Sequence, residues 1–131
     1  MVIVDTSVFI DYLRGVTNPE TEWLDLHADQ QRLGLTTLIL TEILQGVDDE
    51  RRAASLYKEL REFEIFEMPD VELAVDAARH YRRLRQIGHT PRKTIDVLIA
   101  SFCIRRHHEL LHRDRDFDPL ELHLGLRVVH P

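Results

Sequence analysis

The N-terminal stretch VIVDTSVFIDYL (residues 2–13) places an aspartate between two apolar runs. Residues 2–4 are β-branched and apolar, which is typical of a short buried strand. Asp5 follows at once, and Ser7 is a residue type that can cap a helix over residues 8–14. The stretch therefore predicts a strand that passes directly into a helix, with a carboxylate at the carboxyl end of the strand.

The same alternation of strand and helix continues along the chain. Helices are expected after Asn18 and Thr37 as caps, and residues 94–108 are apolar almost all round, which predicts a central buried helix. Four further strands are predicted in RLGLTT, EIFEM, ELLH and LRVVH. Alternating strands and helices favour a mostly parallel sheet covered by helices on both faces, in one domain over residues 1–131.

Composition limits the classes of protein that this chain can represent. No stretch approaches the roughly 18 apolar residues of a membrane span, and no basic segment precedes the N-terminal apolar run. The single cysteine, Cys103, excludes an intrachain disulfide and is expected in the core of a cytoplasmic protein. A net charge of -6 argues against a broad phosphate-binding surface. It is compatible with an enzyme that collects carboxylates in one cleft and keeps arginines at the rim.

Acidic residues that are distant in sequence are predicted to meet at one edge of the sheet, because ligands of parallel sheets bind beyond the carboxyl ends of the strands. They are Asp5, Glu42, Asp96, Asp114 and Asp116. Each also has an ordinary explanation. Asp5 could cap a helix, Asp96 could complement a helix N-terminus, and Glu42 could be solvated surface. The pair that flanks Arg115 could form a polar turn.

The combination of these acids indicates a cation. Two carboxylates about 4 Å apart repel by about 4 kcal/mol at an effective dielectric of 20, so a cluster needs a positive charge. Oxygen ligands suit Mg²⁺ or Mn²⁺. Such a metal can orient and activate a water for hydrolysis of a phosphodiester and stabilise the leaving oxygen.

Four segments together resemble the PIN-domain ribonucleases, and within them the VapC-type toxins of VapBC toxin–antitoxin pairs. The segments are VIVDTSVFIDYL, TLILTEILQG, KTIDVLIASFCIRRH and LLHRDRDFDPL, and the resemblance covers essentially the whole chain. It implies a three-layer α/β/α sandwich with a central, mostly parallel five-stranded sheet. It also implies an endoribonuclease that depends on Mg²⁺ or Mn²⁺ and cleaves tRNA, rRNA or mRNA. A VapB-type antitoxin partner and a homodimer follow from the same resemblance.

The resemblance also implies roles for individual residues. The catalytic acids would be Asp5, Glu42, Asp96 and Asp114, with metal held by Asp5, Asp96 and Asp114, and with Ser7, Thr94 and Asp116 in support. Whether Asp114 or Asp116 lies closer to the metal is open, and we expect Asp114. One position departs from the family. A threonine or serine often stands two positions before the fourth acid, where this chain has His112.

Basic residues near the predicted acidic edge could hold RNA phosphates, or could be ordinary surface charge. They are Arg14, Arg92, Lys93, Arg113 and Arg115. The eight histidines include His107 and His108, which are expected at a helix C-terminus, and their spacing does not match a zinc motif.

Two other readings of the acids stay open. Haloacid-dehalogenase-like phosphotransferases also begin with a strand that ends in a nucleophilic aspartate, but they resemble Asp-x-Asp, and this chain has Ser7 at the second acid. A catalytically inactive binding module on the same scaffold is the non-enzymatic alternative. Metal titration separates it from the nuclease, because an inactive module should bind Mn²⁺ poorly.

Overall fold

Five short strands form one parallel sheet in the computed structural model, which describes residues Met1–Pro131. The strands are β1 (Val2–Val4), β2 (Leu33–Thr36), β3 (Glu64–Phe66), β4 (Glu109–Leu111) and β5 (Arg127–Val128). Their order is β3-β2-β1-β4-β5, and every pairing is parallel. The prediction of a five-stranded, mostly parallel sheet is confirmed.

Seven α-helices and one 3₁₀ turn connect the strands. They are α1 (Thr6–Leu13), α2 (Pro19–His27), α3 (Thr37–Gln45), α4 (Glu50–Leu60), α5 (Val71–Gln86), α6 (Thr94–Arg106), the 3₁₀ turn (Arg115–Phe117) and α7 (Asp118–Leu124). Helix α1 packs on α2 and α3, whereas α5 packs on α6 and α7. The chain moves towards β3 through its first three strands and then crosses back to β4. Because such crossovers are right-handed, this reversal places α5, α6 and α7 on the face opposite α1 to α4.

Two helix caps differ from those predicted. Asp5, which the sequence also allowed as a cap, caps α1 in place of Ser7, and Thr36 caps α3 in place of Thr37. Both observed caps are the residues that still have extended backbone at the end of a strand, so their side-chain oxygens can accept from the first helical amides. Thr37 is already helical, and its hydroxyl donates to the carbonyl oxygen of Met68 at 2.9 Å. Asn18 caps α2 as predicted.

Helix α6 lies in the core, as its apolar sequence predicted. Its buried residues include Val97, Ile99, Phe102 and Cys103, and the sulfur-bearing side chain of Cys103 is fully enclosed. His107 ends α6 in the left-handed conformation, with φ at 58°, so the His107–His108 pair lies at the predicted helix terminus. No helix has both the length and the apolar character that crossing a membrane would require.

Candidate active site

Two of the predicted acids follow β1 and β4, the neighbouring strands at which the strand order reverses direction. Asp5 comes directly after β1, and Asp114 follows β4. Asp96 lies in the first turn of α6, and Glu42 lies in α3. In open parallel sheets this reversal point opens a crevice at the carboxyl ends of the strands. The fold therefore places acids from four distant segments around one crevice.

Asp5 is buried at the end of β1 and held by Ser7. Its Oδ2 accepts from the Ser7 hydroxyl at 2.6 Å and from the Ser7 amide at 3.1 Å. The Ser7 hydroxyl in turn accepts from the Arg113 amide at 3.0 Å, so one side chain ties the ends of β1 and β4 together. Burial raises the pKa of Asp5 to about 6, against the lowering effect of the Ser7 hydrogen bonds, and the charges of Asp96 and Glu42 raise it further.

Glu42 is half-buried and held by Thr6. The Thr6 hydroxyl donates to Glu42 Oε1 at 2.9 Å, which joins the first turn of α1 to α3. Sequence reasoning missed Thr6, because a hydroxyl directly after a strand-ending acid is also a common start for a helix. Its position beside Asp5 was the only available signal. Glu42 is thus fixed in orientation and is not on a freely solvated arc of its helix.

Asp96 carries the site's unpartnered oxygen. The residue is 6% exposed, and its Oδ2 is buried without a hydrogen bond. Lys93 Nζ lies 3.3 Å from this oxygen, which is an ion-pair contact without hydrogen-bond alignment. Burial raises the pKa of Asp96 to about 6. Lys93 opposes that shift, whereas the charges of Asp114 and Glu42 add to it.

Asp114 and Asp116 complete a group of three carboxylates. One oxygen each from Asp96, Asp114 and Asp116 lie within 4.8 Å of one another. Asp114 Oδ1 accepts from the Asp116 amide at 2.9 Å, and its Oδ2 accepts from Lys93 Nζ at 3.3 Å. Burial opposes the shift, but the Asp116 amide and the Lys93 ammonium hold the pKa of Asp114 below its ordinary value. Both Asp114 and Asp116 therefore lie close enough to Asp96 to share a cation with it.

His112 takes a structural place beside Asp114. Its Nδ1 accepts from the Asp114 amide at 3.1 Å, which leaves the proton of the neutral ring on Nε2. The ring packs against Phe117 with centroids 4.9 Å apart, and Nε2 is buried without a partner. Burial lowers the pKa of His112, which favours this neutral form. The His112 nitrogen thus accepts a hydrogen bond from the Asp114 amide, as a serine or threonine hydroxyl oxygen could at the same position.

The donor set fits a hard divalent cation. All candidate ligands are carboxylate oxygens, the type that Mg²⁺ and Mn²⁺ prefer. Asp96 Oδ2 is a buried acceptor with no hydrogen bond, and the Lys93 ammonium at 3.3 Å is its one positively charged neighbour, so it can bind a cation. Two acids also have a pKa raised to about 6 by burial, so removing their negative charge or neutralising it with a cation is favourable.

The basic residues divide into two groups. Arg92, Lys93 and Arg115 border a cavity of about 330 Å³ that also contacts Asp96 and Asp116. Within it, Arg92 Nη1 lies 4.0 Å from Asp116 Oδ1.

Three other predicted residues lie apart from this cavity. Arg113 turns to Glu20, with Nη1 to Oε2 at 2.7 Å. Arg14 ends α1, nine residues and about 14 Å of helical rise from Asp5. Thr94 is exposed, and its hydroxyl makes no side-chain hydrogen bond to the acids.

The chain is similar to known nucleases over nearly its whole length. Residues 2–121 match the family described as PIN domain. Ribonuclease VapC11 of Mycobacterium tuberculosis and VapC ribonuclease Mb1587 of Mycobacterium bovis are each 31% identical over 121 residues, which is 90% of both chains.

Solved structures share the fold. The VapBC2 structure of Rickettsia felis, bound to a promoter DNA fragment, superimposes with a TM-score of 0.79 at 18% identity and covers 98% of both chains. VapBC-1 of nontypeable Haemophilus influenzae gives a TM-score of 0.78 at 16% identity, with 98% of this chain and 97% of that chain covered. The α/β fold of this chain is therefore shared with these VapBC structures.

Proposed function

Because this chain belongs to the PIN-domain family, we propose that it is a metal-dependent endoribonuclease and the toxin of a VapBC-type toxin–antitoxin pair. One PIN-like domain would span residues 1–131. The observation that carries the proposal is the convergence of carboxylates from Asp96, Asp114 and Asp116 within 4.8 Å, together with buried Asp5, whose pKa the charge of Asp96 raises. These acids come from distant segments, and the Lys93 ammonium and the Arg92 guanidinium offset only part of their negative charge.

The ion that suits the site is Mg²⁺ or Mn²⁺, held by Asp5, Asp96 and Asp114. Bound there, it would supply an activated water and positive charge for the leaving oxygen of a phosphodiester. Ser7 keeps Asp5 in one orientation through two hydrogen bonds. Thr6 does the same for Glu42, which leaves its second carboxylate oxygen free to accept from a water or a substrate hydroxyl. Asp116 is close enough to contribute directly or through a water.

RNA would lie across the cavity beside the acids. Arg92 and Arg115 border it and can contact backbone phosphates, which would make RNA binding weaken as salt concentration rises. Arg113 is less available, because Glu20 and Asp11 already pair with it. The proposed contribution of Arg14 is at most peripheral, given its place at the far end of α1.

A VapB-type antitoxin and a second copy of the chain are the proposed protein partners. Leu13 ends α1 and is 39% exposed between two grooves, and Val16, which is 44% exposed, lines one of them, which suits an apolar partner segment. On the opposite face, α5 exposes Val71 and Val75 beside an apolar groove against α6, which suits self-association. Light scattering of the chain alone measures self-association, and light scattering of the chain coexpressed with its antitoxin measures formation of the complex. A cytoplasmic location stays a prediction.

Cleavage of RNA by the purified, antitoxin-free protein tests the function. Structured RNAs are incubated with Mg²⁺ or Mn²⁺, with and without EDTA, using wild type, Asp5→Asn and Asp96→Asn. We expect metal-dependent cleavage that EDTA abolishes and that each substitution reduces at least about a hundredfold, the scale on which loss of a catalytic electrostatic group is felt. Asp48→Asn, at an exposed acid before α4, is the matched control and should retain activity.

Three outcomes would contradict the proposal. Cleavage that survives chelation, or that survives both Asp5→Asn and Asp96→Asn, would show that these acids do not hold a required metal. A protein that binds Mn²⁺ poorly and cleaves no RNA would favour an inactive binding module. A covalent aspartyl-phosphate on Asp5 would favour phosphotransfer, although Ser7 stands where the second acid of such enzymes is expected.

A further inference from the structure

The ammonium of Lys93 lies between two of the acids that are proposed to hold the metal. Its Nζ is 3.3 Å from Asp96 Oδ2 and 3.3 Å from Asp114 Oδ2. It donates a hydrogen bond to Asp114, whereas the contact with Asp96 is electrostatic. One positive charge therefore bridges carboxylates from α6 and from the segment after β4.

This contact differs from an ordinary surface ion pair in its partner. The Asp96 side chain is only 8% exposed, and its Oδ2 has no other neighbour that offers a proton or a positive charge. Surface ion pairs contribute little because water competes for both charges, but a buried carboxylate has no such competitor. In this structure Lys93 is thus the counter-ion of Asp96.

The Lys93 side chain is also free to move away from the two acids. Its side chain is 50% exposed, and the residue precedes α6 without making a side-chain capping bond. The cavity of about 330 Å³ shared with Arg92 and Arg115 borders Lys93 and gives its four-carbon stem room to turn away from the acids. A divalent cation on Asp96 and Asp114 would bind the same oxygens that Lys93 now contacts, and two like charges cannot occupy that space together.

We propose that Lys93 is a resident counter-ion that a divalent cation must displace, so that this side chain sets the affinity of the site for metal. The inference rests on the proposed metal-dependent function of the same site. Lys93 neutralises the acids when the metal is absent and competes with the metal when it is present. Removing its charge should tighten metal binding and should also remove the counter-ion that stabilises the metal-free protein.

Metal binding without RNA tests the competition. The affinity for Mn²⁺ is measured by the electron paramagnetic resonance signal of the free ion, at fixed pH and ionic strength. Lys93→Met is expected to bind Mn²⁺ about tenfold more tightly than wild type, because the opposing charge is adjacent to the site. The chain contains only one other lysine, so Lys58→Met, on exposed α4, is the matched control. It should change affinity less than about twofold, because salt screens an exposed charge that lies away from the site. Arg92→Met controls for a local loss of charge and should have a smaller effect than Lys93→Met.

Two outcomes of the titration separate the inference from the proposed function. Equal Mn²⁺ affinity in wild type and Lys93→Met, or tightening no greater than in Arg92→Met, would overturn the role of Lys93 and leave the metal site intact. Absence of Mn²⁺ binding in both proteins would overturn the metal site and the inference together.

Displacement itself is visible in the lysine signals. Protein labelled with ¹³C-lysine gives signals from Lys58 and Lys93 alone, and Mg²⁺ is added while the Cε resonances are followed by NMR. The Lys93 resonance is expected to shift towards that of an exposed lysine as Mg²⁺ saturates the site, while the Lys58 resonance stays fixed. A Lys93 resonance that does not move at Mg²⁺ saturation would contradict displacement.

Discussion

At the scale of single residues, burial makes the charge of two acids in the site sensitive to pH. Asp5 and Asp96 are 4% and 6% exposed, and burial raises the pKa of each to about 6. Each carboxyl is ionised above that pH and can bind a cation, whereas below it a proton competes for the same oxygens. Neither property can be read from the sequence, because burial depends on elements that come together only in the fold.

We predict that the affinity for Mn²⁺ falls at least about tenfold between pH 7.5 and pH 5.5, since both carboxyls take up protons in that interval. The measurement is a calorimetric titration without RNA at constant ionic strength. An affinity that stays constant across this range would show that Asp5 and Asp96 are not the ligands.

Asp96→Asn should separate stability from metal binding. A carboxyl whose folded-state pKa is raised destabilises the folded protein when it is ionised, and this penalty is present above the raised pKa and lost as pH falls towards the unfolded value. We therefore expect Asp96→Asn to leave metal-free stability at pH 7.5 unchanged or higher by about 1–2 kcal/mol, after allowing for the lost Lys93 ion pair.

Thermal unfolding with and without Mn²⁺ makes this measurement. Mn²⁺ should raise the melting temperature of wild type and not that of Asp96→Asn, and the advantage of the variant should disappear near pH 4. A large loss of metal-free stability in Asp96→Asn would contradict a site in which burial and neighbouring acids penalise the Asp96 charge.

Residue roles differ in how far the sequence could predict them. Asp5, Asp96 and Asp114 could be placed because each stands at a predictable boundary between a strand or loop and a helix. The contacts of Lys93 with two acids could not be foreseen, since a long flexible side chain can point in many directions. The hydrogen bond from the Asp114 amide to His112 likewise depends on the packing of the His112 ring against Phe117.

At the scale of elements, the junctions between strands and helices position the acids. β1 passes into α1 at Asp5, and β2 passes into α3 at Thr36, which sets the turn of α3 that carries Glu42. The sequence located both junctions within two residues. It misplaced the caps because adjacent hydroxyl residues, Thr36 and Thr37, have the same capping chemistry, and only backbone conformation distinguishes them.

β2 needs a residue without a side chain at Gly34. A Cβ there would lie 3.0 Å from the Glu64 carbonyl oxygen, 3.0 Å from the Phe66 ring and 3.2 Å from the Met1 sulfur. We expect Gly34→Ala to lower the free energy of unfolding by about 1–3 kcal/mol, because the backbone of β3 cannot give way freely.

Urea denaturation compares Gly34→Ala with Gly46→Ala. A Cβ at Gly46 would meet only ordinary van der Waals contacts, at 3.6 and 4.0 Å, and its backbone is right-handed helical. Gly46→Ala should therefore be close to neutral. Equal stability of the two variants would refute the close approach at Gly34.

At the scale of the whole molecule, one reversal in strand order creates the site. The alternation of strands and helices predicted a parallel sheet, but it did not predict that β4 would pair with β1 on the side away from β2. That pairing brings the segment after β4 beside Asp5, and the Asp5 amide donates to the Leu111 carbonyl oxygen at 2.9 Å. Strand order arises from long-range pairing, which local sequence patterns do not encode.

The position of a bound metal tests this account most directly. Crystals of the antitoxin-free protein grown with MnCl₂ are measured at a wavelength where manganese scatters anomalously. We predict one strong anomalous peak within about 2.0–2.5 Å of carboxylate oxygens from Asp5, Asp96 and Asp114, with Lys93 turned away from it. No peak at these acids, or a peak bound only by residues elsewhere on the chain, would contradict a single metal site assembled from distant segments.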